Sequence, residues 1–149
     1  MKIKEQLFQQ CVTYVNQRLQ TVEEIISSNQ KALQSETKSS AGDKHETGRV
    51  MLQLEMEKAG QQLQGITQMK EVLAKIDIST KSTIAHLGSI VKTNKMSFFL
   101  SISSGKLEVD NKLYFAVSIS SPIGRVLLGK KEGEGFIFNN SKQKIKKIF

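Results

Sequence analysis

From Lys4 to about Gln34 the chain has no Pro or Gly, and its apolar side chains recur at Phe8, Cys11, Val15, Leu19, Val22, Ile26 and Leu33, with the polar Asn29 filling one slot. Every step is three or four residues, the spacing of one helical stripe. At about 1.5 Å per residue, roughly thirty residues make a rod of about 45 Å. The segment Ser35–Gly42, SETKSSAG, is small and polar and reads as a turn. A second stripe follows at Leu52, Met56, Ala59, Leu63, Ile66, Met69, Leu73 and Ile76, again in steps of three or four. Two helices of similar length joined by a short polar turn lie antiparallel. The pattern therefore predicts a long helical hairpin over 1–78, an antiparallel two-stranded coiled coil with its tip at about 35–48. A hairpin of this kind buries one face per helix and is marginal alone, so the second half is expected to anchor its open end.

After Asp77 the period changes. Val, Ile, Phe, Ser and Thr replace Gln and Glu, and Gly recurs. Candidate strands are 83–92, 96–103, 113–119, 134–138 and 144–149, separated by turn signals at Ser104-Gly105, Asp110-Asn111 and Asn139-Asn140-Ser141. Between the third and fourth of these, Pro122 is placed to open a helical turn and Gly129 to close it. Residues 79–149 thus read as a twisted sheet of four or five strands with one short helix packed on it. Seven of the nine aromatic residues fall in this half, enough for a modest core. The fold class predicted is α+β, in two parts.

Composition narrows the chemistry. With one cysteine, Cys11, and two distant histidines, His45 and His86, the chain offers neither a disulfide framework nor a Cys/His zinc site. Cys11 lies on the first apolar stripe and is expected to be a buried small hydrophobe. His86 is expected to be structural. No run of 18 apolar residues could span a membrane, and the N-terminus MKIKEQLFQQ lacks the apolar core of a secretory signal. A cytoplasmic, monomeric protein without membrane contact is expected. Charge is uneven: residues 1–76 carry 10 Lys and Arg against 9 Asp and Glu, whereas 77–149 carry 12 against 5. The basic half is a candidate for contact with nucleic acid or with a complex that handles it. A Lys-rich surface is equally a solubility device and a protection for edge strands. No Gly-rich nucleotide loop, HExxH or GxSxG occurs, so no independent enzyme is expected, and any chemistry must rest on carboxylates.

The run Ser121-Pro122-Ile123-Gly124-Arg125-Val126-Leu127-Leu128-Gly129-Lys130-Lys131-Glu132-Gly133-Glu134 resembles the C-terminal domain of the bacterial Gre transcript-cleavage factors. Their pattern there is S-P-[IL]-G-x-A-L-[IL]-G-x-x-x-G-[DE], and only Val126 departs from it, standing where Ala is usual. Leu87–Val91 is similar to the first strand of that domain, and Phe136–Phe138 with Ile145–Phe149 fit its last hairpin. The resemblance implies an N-terminal coiled-coil hairpin and an FKBP-like C-terminal domain. It implies binding to RNA polymerase, with the C-terminal domain docked at the rim of the secondary channel and the hairpin inside it. In the family, two acidic tip residues spaced D-x-x-E hold a second catalytic Mg²⁺ and position a water. The polymerase then cleaves the 3′ end of backtracked nascent RNA.

Asp43-Lys44-His45-Glu46 has that spacing, so the resemblance assigns catalysis and Mg²⁺, shared with the polymerase, to Asp43 and Glu46. Carboxylates are hard oxygen ligands suited to Mg²⁺. The same spacing is also that of a helix N-cap with a capping box, and both readings stand on spacing alone. The family tip runs close to D-L-S-E-N-A-E-Y; here it is D-K-H-E-T-G-R-V. This difference keeps open a second reading, a Gre-like regulator that occupies the channel without promoting cleavage. Arg49, beside the tip, is a candidate contact for RNA phosphate or polymerase. Ser121, Pro122, Ile123 and Gly124 are the candidate docking residues. No organic cofactor is expected.

Overall fold

A computed structural model of the chain describes residues 2–38 and 43–149, with side chains described for 2–35 and 47–149. Two long helices come first, α1 (Lys2–Lys38) and α2 (Asp43–Ala74). Six strands follow: β1 (Ile90–Thr93), β2 (Ser97–Ser101), β3 (Gly105–Val109), β4 (Lys112–Ser118), β5 (Gly135–Phe138) and β6 (Ser141–Ile148), with α3 (Pro122–Leu127) between β4 and β5. The chain is α+β, as its periodicity predicts.

It divides into two compact units: Val15–Met69, and the residues up to Tyr14 together with Lys70–Phe149. The hydrophobic period changes at Asp77, but the first turns of α1 and the last of α2 group with the sheet.

In the helical unit the predicted stripes are the buried faces. Val15, Val22, Asn29, Ala59 and Ile66 are buried, and Leu19, Ile26, Leu33, Leu52, Met56, Leu63 and Met69 are half-buried. Both helices line one groove, with Thr21 and Asn29 from α1 and Glu55, Ala59 and Gln62 from α2. Earlier in α1 the stripe is phased differently from the expectation. Leu7, not Phe8, is fully buried, and it continues to Cys11 and Val15 in steps of four; Phe8 is half-buried.

The sheet order is β3-β4-β2-β1-β6-β5, parallel only between β2 and β4. One face carries Val91, Phe98, Leu100, Ile145 and Ile148, and α3 buries Ile123 and Leu127 against it. The register sets the other face. Ile90 pairs with Phe99, Phe99 with Ala116 and Leu107 with Tyr114, and all are buried. The first turns of α1 cover this face. There Cys11 Sγ lies 3.7 Å from both Ser101 Oγ and Ser104 Oγ, and Gln10 Nε2 donates to the Glu108 carbonyl at 2.9 Å. Being buried on both sides is why β2 reads as the near-continuous apolar run SFFLS.

The strand predictions need three corrections. Residues 83–92 are not one strand; only 90–93 join the sheet, and Gly88 turns the chain at φ +95°. Residues 105–109, read as lying between two turns, form β3. The last strand begins at Ser141, so the sheet has six strands, not four or five. The hairpin turns are as predicted: Asp110 and Asn111 (φ 53° and 63°) and Asn139 and Asn140 (φ 49° and 62°) make two-residue loops with both central residues left-handed. Asn and Asp tolerate that conformation best after Gly.

Candidate functional site

The segment from Ser118 to Lys131 is built around one tight turn. Ser121, with extended backbone (φ −70°, ψ 161°), caps α3: its Oγ accepts from the Gly124 N–H at 3.1 Å and donates to the Ser118 carbonyl at 2.6 Å. Pro122 takes the first helical position, where its missing N–H costs nothing. Gly124 is required by closeness and not by its dihedral: a Cβ there would fall 1.9 Å from the Ser118 carbonyl oxygen. Only a residue without a side chain lets the helix sit this close to the end of β4. Ile123 and Leu127, one turn apart, enter the core. Gly129 ends the element at φ +86°, and its N–H donates to the Ala85 carbonyl at 2.8 Å. The Ala85 N–H returns a bond to the Lys130 carbonyl, also at 2.8 Å.

Of the four candidate docking residues, Ile123 and Gly124 are therefore buried, and the Ser121 hydroxyl is fully engaged. Pro122 is exposed. The surface of this segment is completed by Arg125 and by Leu128, which is 44% exposed. Sequence reasoning missed both. The signal was the pair Leu127-Leu128, of which a single short helix can bury only one on a given face.

At the other candidate site, the backbone of Asp43–Glu46 forms the first turn of α2. The side chains of Asp43 and Glu46 lie outside those described, as do the other side chains from 36 to 46 of the expected tip at 35–48. Arg49 is exposed on the turn that follows. Next to it Val50, Met51 and Leu54 are 54%, 60% and 59% exposed. These residues continue the helix outside its core stripe and form an apolar surface that composition alone did not single out.

The remaining titratable groups of interest are structural. Cys11 is buried between two serine hydroxyls, and burial pushes its thiol pKa up, away from the nucleophilic range. His86 is held by Ser89 Oγ at 2.8 Å from its Nδ1, while its buried Nε2 has no partner among the described residues. Among those residues no three His, Cys, Asp or Glu side chains come together as a metal site, and no helix is long and apolar enough to cross a membrane.

No protein-family model and no curated protein matches the chain. Among solved structures it is similar in part to the prokaryotic transcription elongation factor GreA/GreB from Nitrosomonas europaea, at 18% identity and a TM-score of 0.30, over 56% of this chain and 78% of that one.

Proposed function

We propose that the chain is a Gre-like transcription factor that binds RNA polymerase in its secondary channel and stimulates cleavage of backtracked RNA through Asp43 and Glu46. The observation that carries this reading is the segment Ser121–Gly129. Six of the seven positions at which it agrees with the family pattern have a structural job: Ser121 caps, Pro122 opens, Gly124 fits under a carbonyl, Ile123 and Leu127 fill the core, and Gly129 ends the helix; the seventh, Leu128, is exposed. That so much of the motif is used by the local structure supports the resemblance. At the other end of the chain, Asp43 and Glu46 share the first turn of the second long helix.

On this reading the C-terminal unit docks on the polymerase through Pro122, Arg125 and Leu128, and Arg49 contacts RNA phosphate or polymerase near the active site. Asp43 and Glu46 supply hard carboxylate oxygens, the donor type Mg²⁺ prefers, but two are too few for an isolated site. The ion is therefore shared with the polymerase, and when bound it lowers the pKa of the attacking water. Asp43 and Glu46 would be the residues of this chain that hold the metal, and their carboxylates would help orient the attacking water.

A second reading has specific support. Lys44 and His45 put cationic or titratable groups between the two acids, and Gly48 loosens the first turns of α2. A tip altered in this way suits a regulator that occupies the channel without promoting cleavage. The test is a backtracked elongation complex given this protein and Mg²⁺, with 3′ RNA fragments followed on a gel. The first reading expects rapid cleavage that falls by at least about 100-fold in Asp43→Ala and Glu46→Ala, the loss typical of removing a general catalytic contribution. Absence of cleavage with the wild-type protein would overturn that reading. Inhibition of an active Gre factor in the same assay would establish the second.

A further inference from the structure

Where α1 begins, a crevice of about 240 Å³ opens between its first turn, the 78–82 segment and the end of β6, with Lys4, Ser79, Lys81, Ser82, Lys147 and Phe149 among its walls. Lys4 is only 2% exposed. Its ammonium gives one hydrogen bond, to the Thr80 carbonyl at 3.2 Å, and has two further N–H groups. A lysine is rarely buried this far unless paired, yet no carboxylate side chain lines the crevice.

Asp77 is the acid whose field reaches Lys4. Its carboxylate is already occupied by the Ser79 N–H and hydroxyl, at 2.9 and 2.5 Å. Burial outweighs Asp77 and holds the Lys4 pKa below the ordinary lysine value.

A second strain points to the same place. Lys147 stands directly opposite Lys92 in the β1–β6 register, an arrangement of like charges that weakens a strand pair. Lys92 and Lys112 line a smaller neighbouring cavity that shares Phe149 with the first. Lys147 Nζ lies 5.0 Å from the centre of the Phe149 ring, which steadies it at the mouth of the crevice. Ser82 Oγ accepts from the Ile84 N–H at 3.1 Å, leaving its own hydrogen free to donate.

We propose that this crevice is a binding site for a small, multiply charged phosphate-bearing molecule. Among the side chains that line it, every polar group not already committed is a donor, and most are cations. A single carboxylate would leave lysines unpaired, whereas a diphosphate offers enough oxygens and charge for Lys4, Lys81 and Lys147 together. Lysine binds phosphate as a point charge without demanding planar geometry. The volume suits a diphosphate-sized group and not a folded polymer. The first turn of α1 adds the positive end of a helix dipole. This site is separate from the proposed polymerase activity and does not depend on it.

Calorimetric titration of the full chain with inorganic pyrophosphate tests the proposal. Saturable one-to-one binding is expected, weakened at least about tenfold by Lys81→Gln and by Lys147→Gln, a loss of one charge-assisted contact. Lys142→Gln and Lys146→Gln, exposed on β6 but outside this crevice, are expected to bind within about twofold of wild type. All four lysines are exposed, and circular dichroism confirms that each variant is folded. Lack of saturation, or equal weakening by all four variants, would show diffuse charge attraction and overturn the site. Tight binding of a single-stranded oligonucleotide that pyrophosphate does not displace would likewise overturn it, in favour of an extended nucleic-acid surface.

Discussion

Lys4 shows how one residue can work against the fold that holds it. It occupies a helix position one step before the Leu7–Cys11–Val15 stripe, so burial follows from where the helix must lie and not from any affinity of ammonium for the interior. Desolvation lowers its pKa, with Asp77 opposing. In the folded state Lys4 therefore binds its proton more weakly than in the unfolded chain. Between its lowered pKa and the ordinary value of 10.5, the unfolded state holds more protons, and stability rises with pH. Below that window the burial cost is present in full. Lys4→Met is thus expected to be more stable than wild type at neutral pH, with the difference shrinking as pH approaches 10.5. Urea unfolding at pH about 7 and about 10 reads this directly; a difference that stays constant would show that the charge of Lys4 carries no burial cost. Lys4 was not legible as special in the sequence, because Lys near the start of a helix ordinarily points to solvent. Cys11 was legible, since its place on the stripe already predicts a buried, unreactive thiol. Asn29 was half legible: the stripe predicts its burial, but not that its Nδ2 finds no partner among the described residues.

At the scale of elements, the sequence was most informative where a local rule has no competitor. Steps of three and four over some thirty residues define a helix whatever surrounds it, and a pair of Asn or Asp residues between short apolar runs is a hairpin loop because few other residues accept two left-handed positions. It was least informative where tertiary context decides. Residues 83–89 have strand composition but form no strand: Ile84 makes an isolated bridge with Lys131, and Gly88 and Ser89 exchange backbone hydrogen bonds with Leu100. The segment 105–109, GKLEV, is short and half charged, and becomes β3 only because β4 lies beside it. The α3 element combines both cases. Ser121, Pro122 and Gly129 announce its ends by composition, but the need for Gly124 appears only when the Ser118 carbonyl is seen 1.9 Å from where a Cβ would stand. Gly124→Ala is accordingly expected to destabilise by about 3 kcal/mol, the upper part of the range for forcing an atom into packed space. Because the obstruction is backbone, no side chain can swing aside to relieve it. A urea midpoint within error of wild type would mean that α3 moves off β4 at little cost.

For the whole molecule, a long pair of helices and a six-stranded mixed sheet divide two tasks. The helical unit buries only one stripe per helix, and it carries an exposed apolar surface at Val50, Met51 and Leu54 beside Arg49. The sheet unit holds the packed core and most of the positive charge. Charge in such excess favours encounter with an anionic partner more than it adds contact energy. Two long helices followed by a sheet were legible because period and composition change together after Asp77, but that the first turns of α1 and the last of α2 group with the sheet was not. Of the tip the sequence offers only a spacing, since the positions of Asp43 and Glu46 are those of a helix cap and of a metal-binding pair alike. The central claim, that this chain acts on RNA polymerase through the secondary channel, is tested most directly by competition. The protein, labelled with a fluorophore, is titrated with bacterial core RNA polymerase, and the complex is then challenged with an unlabelled, active Gre factor. The account predicts saturable binding that the Gre factor displaces fully. Failure to bind, or binding that excess Gre factor leaves untouched, would contradict it.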